Sequence, residues 1–303
     1  MTLLSSRTYT YLLLGATGGL LGWYALAIMF QVERMTPAIN AARGCVFGVI
    51  LGFAIGAYEG IRVGDFGRLV RFSLQSALLG AVAGALALPL ADFAYEQRTV
   101  LAVHFRFFAG VSCWLLLGAL LGIGECIGKG TQFWKGLVGG LAGATLGGTF
   151  CEMGRGAPSD WATQYRVVQA LMVLGAGIAA GAAFVIVHFG DAWLVVESSV
   201  KQKLKGHRYS VSTFLDTKSP KRRIGVIGSG HDVDVYVPDA KAAAHHATVS
   251  LVQGTPTLRV SPEASRRNLV TKVNGRAVTE CPIGPGDRIM IGESTLVFEA
   301  RKR

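Results

Sequence analysis

The chain has 303 residues and a formal net charge of +11, with 51% hydrophobic and 16% charged residues. Its length allows two domains, and its composition divides accordingly: residues 1–190 are apolar and rich in glycine, whereas residues 191–303 have the composition of a basic soluble domain. The five cysteines show no paired spacing, which argues against a disulfide framework and against a zinc site.

The first half contains six apolar segments that are long enough to cross a bilayer as helices. They run roughly from Thr8 to Gln31, Ala42 to Gly60, Ser73 to Ala94, Phe107 to Cys126, Phe133 to Met153 and Val167 to His188. An even number of spans places both ends of this half on the same side. Because the short connections 61–72 and 127–135 and the C-terminal region are basic, the positive-inside rule predicts cytoplasmic termini in a cell (inner) membrane.

These segments contain an internal two-helix repeat. Positions in one copy recur 66 residues later in the other, as Gly52 and Gly118, Gly56 and Gly122, and Glu59 and Glu125. A duplicated two-helix unit with the same orientation in both copies is therefore predicted.

Glycines spaced four residues apart predict helix faces without side chains, as in a glycine zipper. The predicted packing glycines are Gly44, Gly48, Gly52, Gly56, Gly60, Gly118, Gly122, Gly143 and Gly147. Such faces allow the backbones of two helices to approach closely. Two interpretations stay open: packing within one bundle, and packing between chains into a homo-oligomer.

Glu59 and Glu125 are the most prominent charged residues of the apolar half, and each lies at the end of its predicted span. One interpretation is a pair of interfacial carboxylates that contact basic residues of the following loop, such as Arg62, Arg68 or Lys129. The other is an ion or proton pathway, because acids in apolar segments often mark one.

Much of the positive charge follows the last apolar segment closely, beginning with Lys201, Lys203 and Lys205 and continuing at residues 208, 218, 221–223 and 301–303. Basic clusters beside a membrane are attracted to anionic lipid by about 1 kcal/mol per residue. We therefore expect lipid contact rather than nucleic-acid binding.

The second half has the alternation of a β-sandwich. Strands are predicted at 192–196 and 209–214, at Ile224 and Val226, and through Val233, Val235 and Val237. A further strand at 270–273 leads into Asn274-Gly275, a pair typical of a type I′ hairpin turn. Gly284-Pro285-Gly286-Asp287 then precedes a strand over 288–292.

Four ordered motifs in this half resemble the forkhead-associated (FHA) domain: residues 234–239, His246-Ala247, Val273-Asn274-Gly275 and residues 286–292, with Gly228 upstream. The resemblance covers about residues 192–298 and implies an eleven-stranded sandwich whose loops bind phosphothreonine. Its structural positions fall on Gly228, His246, Gly275, Gly286 and Asp287. The chain as a whole resembles bacterial membrane proteins that carry FHA domains.

The sequence departs from the family at the phosphate-binding positions. The family's arginine falls on Ser229, its serine–arginine pair on Ala243 and Ala244, and its asparagine–glycine pair on residues 269–270, with Asn268 one position out of register. Alanine can neither donate a hydrogen bond nor offset the charge of a phosphate. The resemblance thus implies an FHA scaffold with a disabled site, whose peptide-binding face comprises Ser229, Ala243, Ala244, Asn268, Thr271 and Asn274.

His246 is a packing residue in the family, and a metal site with the adjacent His245 is disfavoured because successive side chains on a strand point apart. The sequence contains no recognisable nucleophile–base pair, nucleotide loop or metal-ligand cluster. The fold class expected is an α-helical polytopic membrane domain at 1–190, followed by an all-β FHA-like sandwich at 191–303. The function expected is a non-enzymatic interaction scaffold without a cofactor.

Two other functions stay open. One is a small channel or transporter with a cytoplasmic regulatory domain. The other is a working phosphothreonine reader that uses Asn268, Lys241 or Thr271.

Overall fold

The computed structural model describes residues 6–29, 36–96, 103–127, 132–154, 161–188, 192–212, 214–215 and 224–300. The chain divides into two compact units. The first comprises Met1–Ile61, Leu69–Cys126 and Phe133–His188, and the second comprises Arg62–Arg68, Ile127–Gln132 and Phe189–Arg303.

In the described part of the first half, six long helices lie at the positions of the six predicted spans. They are α1 (Ser6–Met29), α2 (Pro37–Val63), α3 (Phe66–Glu96), α4 (Val103–Cys126), α5 (Phe133–Gly154) and α6 (Trp161–His188). Among the described residues, five helices are long and apolar enough to cross a membrane; α5 is the long helix that does not reach this measure. The predicted helical fold class of the first half is thereby confirmed.

Glycines bring the helices of the first unit close together. A Cβ atom added to Gly44 or Gly48 would collide with the carbonyl oxygen of Gly84 or Gly80 on α3. A similar close approach is found in the predicted second copy, where a Cβ atom on Gly122 would collide with the carbonyl oxygen of Gly136 on α5.

The remaining predicted glycines also face neighbouring helices of this chain. Gly52, Gly56 and Gly60 face α3, Gly118 faces α5, and Gly143 and Gly147 face α6. The structure therefore gives each predicted packing glycine a neighbour within this chain.

Eleven strands form the sandwich among the described residues of the second unit. They are β1 (Ala192–Ser198), β2 (Arg208–Ser210), β3 (Gly225–Gly228), β4 (Val235–Tyr236), β5 (Ala247–Val252), β6 (Thr255–Val260), β7 (Thr271–Val273), β8 (Arg276–Ala277), β9 (Glu280–Pro282), β10 (Arg288–Ile291) and β11 (Ser294–Ala300). One sheet has the order β2-β1-β11-β10-β7-β8, and the other has the order β4-β3-β5-β6-β9. A short helix, α7 (Pro262–Arg266), lies between β6 and β7.

The core lies between the two sheets and follows the alternation of the strands. Val233, Val235 and Val237 are all buried, as the valine spacing predicts. Ile227 of β3 is fully buried, whereas Ile224, which lies just before β3, is exposed. Side chains alternate between the two faces of a strand, so residues three positions apart point to opposite faces. The predicted strand 209–214 is shorter in the structure, since β2 ends at Ser210 and the chain turns.

Candidate functional site

The candidate site is the loop face, which we define as the β3–β4 loop (229–234), the β4–β5 loop (237–246) and the β6–β7 loop (261–270). The first two loops are joined through their backbones. Ser229 N donates to Ala243 O at 3.0 Å, and Gly230 N donates to Ala244 O at 3.0 Å. A Cβ atom on Gly228 would collide with Ala244 O, so this crossing requires glycine.

His246 is fully buried and joins the β4–β5 loop to the start of β7. Its Nδ1 accepts from Ala243 N at 3.1 Å, and its Nε2 lies 2.9 Å from Thr271 Oγ1. Because Nδ1 is an acceptor, the proton of the neutral ring is on Nε2, which therefore donates to Thr271. Burial lowers the pKa of His246 below its usual 6.5, although the Asp239 and Glu263 carboxylates act in the opposite direction.

The β6–β7 loop begins with a capped helical turn. Ser261 Oγ accepts from Ala264 N at 3.2 Å and donates to the carbonyl oxygen of His245, which ties this loop to the β4–β5 loop. Asn268 has a positive φ of 53° and is exposed. Together with Leu269, Thr271 and neighbouring residues, Asn268 lines a groove of about 460 Å³.

Ser229, Ala243 and Ala244, the positions to which the sequence resemblance assigns phosphate binding, carry no cationic side chain. Ser229 Oγ donates to Ala242 O at 3.1 Å, Ala243 is fully buried and Ala244 is half-buried. Lys241, on the same loop, pairs instead with Glu293 at 2.9 Å, and this hydrogen bond raises the pKa of the lysine.

Carboxylates occupy the loop face, and the sequence predictions missed them. Asp232 Oδ2 lies 2.8 Å from His245 Nε2, and Glu263 Oε2 accepts from His245 N at 3.2 Å. Arg267 lies 3.5 Å from Glu263. His245 and His246 thus have different partners, and no group of three metal-binding side chains forms within the described ranges.

Asn274, the last residue of the predicted peptide-binding face, lies outside the loop face, in the β7–β8 hairpin. Asn274 and Gly275 both have positive φ, 51° and 82°, as the type I′ turn requires. Asn274 Nδ2 donates to Asp287 Oδ1 at 2.8 Å, and Asp287 Oδ2 accepts from Gly284 N at 2.7 Å. Gly286 also has a positive φ, 95°. The side chain of Asn274 therefore stabilises turns, whatever else it contacts.

The two predicted acids of the helical unit are both buried, with Glu59 6% and Glu125 1% exposed. Tyr11 of α1 donates to Glu125 Oε2 at 2.7 Å, and Ser76 of α3 lies 3.4 Å from the other carboxylate oxygen. The partners of Glu125 thus include two hydroxyl groups of other helices, which the loop-charge pattern did not predict. Lys129 lies outside the described residues.

Of the three lysines predicted to contact lipid, Lys201 and Lys205 are exposed. Lys203 lies in a single 3₁₀ turn, Gln202–Leu204. The basic residues at 218, 221–223 and 301–303 lie outside the described residues.

Comparisons with known proteins identify the sandwich. Residues 225–292 match the family model described as FHA domain. Solved structures that are similar include an FHA domain studied for its phosphothreonine-dependent interactions (18% identity, 37% of this chain and 99% of that chain, TM-score 0.29). Others are the FHA-1 domain of Rv1747 from Mycobacterium tuberculosis (18%, 37% and 100%, TM-score 0.28) and the FHA domain of CT664 from Chlamydia trachomatis (11%, 37% and 100%, TM-score 0.29). A comparison with curated protein sequences gave no significant match.

Proposed function

Because residues 225–292 form an FHA domain, we propose that this protein is a membrane-anchored interaction scaffold that binds a protein partner without requiring phosphothreonine. FHA domains are interaction modules, and the helical unit supplies five helices long and apolar enough to span a bilayer. The exposed side chain of Lys205 is available to anionic headgroups on the cytoplasmic side, whereas Lys201, also exposed, donates to a carbonyl oxygen of this chain.

The observation that carries the proposal is the charge of the loop face. A phosphothreonine adds nearly two negative charges and three acceptor oxygens, so its receptor needs cations and hydrogen-bond donors. At the corresponding positions stand Ala243, Ala244 and a Ser229 whose hydroxyl already donates to a carbonyl. Asp232 and Glu263 add carboxylates to the same loops, and two cations of these loops are already paired, Arg267 with Glu263 and Lys241 with Glu293.

The first test is a binding titration of the full chain in detergent micelles. The ligands are a degenerate phosphothreonine peptide pool and its unphosphorylated twin, and we expect no preference for the phosphorylated pool. A preference of tenfold or more would overturn phosphate independence and make the protein a phosphothreonine reader.

A restored variant shows that the assay can detect phosphate binding. The triple substitution Ser229→Arg, Ala243→Ser, Ala244→Arg returns the donors that the family uses, and it should create a preference for the phosphorylated pool. The matched control, Gln253→Arg with Thr255→Arg, adds the same charge on the exposed β5–β6 hairpin and should not.

A second test addresses the partner itself. Proteins cross-linked to the full chain in native membranes should be retained after phosphatase treatment of the membranes. They should be lost with Asp232→Lys and Glu263→Lys, and retained with Gln253→Lys and Thr255→Lys. Loss after phosphatase treatment alone would contradict the proposal.

A further inference from the structure

The segment Arg62–Arg68, which we call the clasp segment, clusters with the sandwich rather than with the helical unit. It contains the turn between α2 and α3, where Gly64 adopts a positive φ of 66°. Asp65 then begins α3, because its Oδ1 accepts from Arg68 N at 2.9 Å in the manner of an N-cap. Local chemistry thus explains the turn but not the contacts that the turn makes.

Apolar burial is the first of those contacts. Val63 is 2% exposed and belongs to the same hydrophobic cluster as Leu194, Ile227 and Val233 of the sandwich. Lys201 Nζ donates to Val63 O at 3.3 Å, which satisfies a carbonyl at the end of α2.

Arg68 makes the second contact and is also 2% exposed. Its Nη1 donates to Val233 O at 2.9 Å, and its guanidinium lies 5.4 Å from the ring centroid of Tyr236. A planar guanidinium that is hydrogen-bonded at its edge and stacked on an aromatic ring is a favourable way to bury a cation.

The third contact joins Asp65 to His231, whose Nδ1 lies 3.0 and 2.9 Å from the two carboxylate oxygens. Asp65 is 8% exposed. Burial and the nearby Asp65 carboxylate raise the pKa of the Tyr236 hydroxyl, so the acid acts on the aromatic ring that Arg68 covers. The approach is close, since a Cβ atom on Gly67 would lie 3.2 Å from His231 Cγ.

Successive residues of the β3–β4 loop therefore have different partners. His231 and Val233 contact the clasp segment, whereas Asp232 between them pairs with His245 on the loop face. We propose that His231, Val233 and Tyr236 form an internal docking surface whose occupant is this chain's own clasp segment. Docking fixes the β3–β4 loop. A change in the structure or stability of the clasp segment therefore changes the loop face, and a change at the loop face, such as partner binding, changes the clasp segment.

Hydrogen exchange followed by mass spectrometry on the full chain in micelles tests the coupling. Arg68→Gln removes the charged donor, and the lost charge-assisted hydrogen bond corresponds to about tenfold faster exchange. We expect that increase both in peptides covering 61–69 and in peptides covering 224–236, where Asp234 N donates to Val226 O. The control is Arg71→Gln, an exposed position one turn further along α3, and it should change neither.

Two further variants keep the inference testable if Arg68→Gln fails to fold. His231 is 69% exposed, so His231→Ala leaves the sandwich core intact and should still speed exchange in 61–69 about threefold. In a chain whose native cysteines are replaced, Gly67→Cys with His231→Cys should form an intramolecular disulfide on mild oxidation. Unchanged exchange in 224–236 with Arg68→Gln, unchanged exchange in 61–69 with His231→Ala, or a disulfide that forms only between chains would each overturn the proposal.

Discussion

His246 should make the stability of the sandwich depend on pH. Protonation of Nδ1 would turn a hydrogen-bond acceptor into a donor that faces the Ala243 N–H, and the buried ring would carry a charge. The folded state therefore lowers the pKa of His246, whereas the unfolded state has the ordinary value of 6.5. Below that value the unfolded chain binds more protons, so the free energy of unfolding falls as the pH falls.

The size of the effect follows from proton linkage. One residue that protonates at its ordinary pKa only when unfolded lowers the free energy of unfolding by at most about 1.4 kcal/mol at pH 5.5 relative to pH 7.5. As the pH falls, the free energy of unfolding begins to decrease near pH 6.5 and continues to decrease until the pH reaches the lowered pKa of His246 in the folded state.

His246→Gln isolates this contribution. Glutamine can accept from Ala243 N and donate to Thr271 Oγ1, but it does not titrate. Urea unfolding of the full chain is followed by pulsed hydrogen exchange on peptides from 224–300 at several pH values. Other histidines titrate in both proteins, so the difference between wild type and variant is the quantity to compare. Equal pH dependence in both, or wild-type stability that rises relative to the variant on acidification, would refute the assigned tautomer and burial.

Two further predictions concern the helical unit. Gly48→Leu should lower the thermal midpoint of the full chain in micelles by several degrees or prevent folding, because the added side chain meets a backbone carbonyl, whereas Leu78→Ala on an exposed position should change it little. A midpoint unchanged by Gly48→Leu would contradict the packing described here. Tyr11→Phe should destabilise the bundle by about 1–3 kcal/mol, because it removes a hydroxyl that donates to the buried Glu125. Tyr9→Phe, at an exposed position of the same helix, is the control, and an equal effect of both would exclude a specific role for the hydrogen bond.

Much of the fold could be predicted from local patterns. The spacing of Gly44 and Gly48 predicts a helix face for close packing, and α3 lies against it. Asn274-Gly275 predicts a type I′ hairpin, and both residues have the positive φ that this turn needs. In the hairpin the neighbouring residues alone determine the conformation, whereas the glycine spacing predicts a face for close packing without saying which helix packs there.

The charge of the loop face could not be predicted in this way. Asp232, His245 and Glu263 come from three loops, and their pairing depends on backbone hydrogen bonds that bring those loops together. Helix and strand periods carry no information about contacts between distant loops. The contact of Asp65 with His231 is a stronger example, since 166 positions separate the two residues.

The proposed function requires an FHA fold that keeps its shape without phosphate-binding side chains. The hydrogen bonds that shape the loops join backbone atoms of Ser229 and Ala243 to each other, and the buried ring of His246 to Ala243 and Thr271. Neither set requires the cations that would face a phosphate. Alanine at these positions is therefore compatible with the loop geometry, whereas it offers no charge or hydrogen-bond donor to a phosphate. Because surface charge selects partners more than it stabilises the fold, we expect the partner of this domain to be recognised by shape and by positive charge.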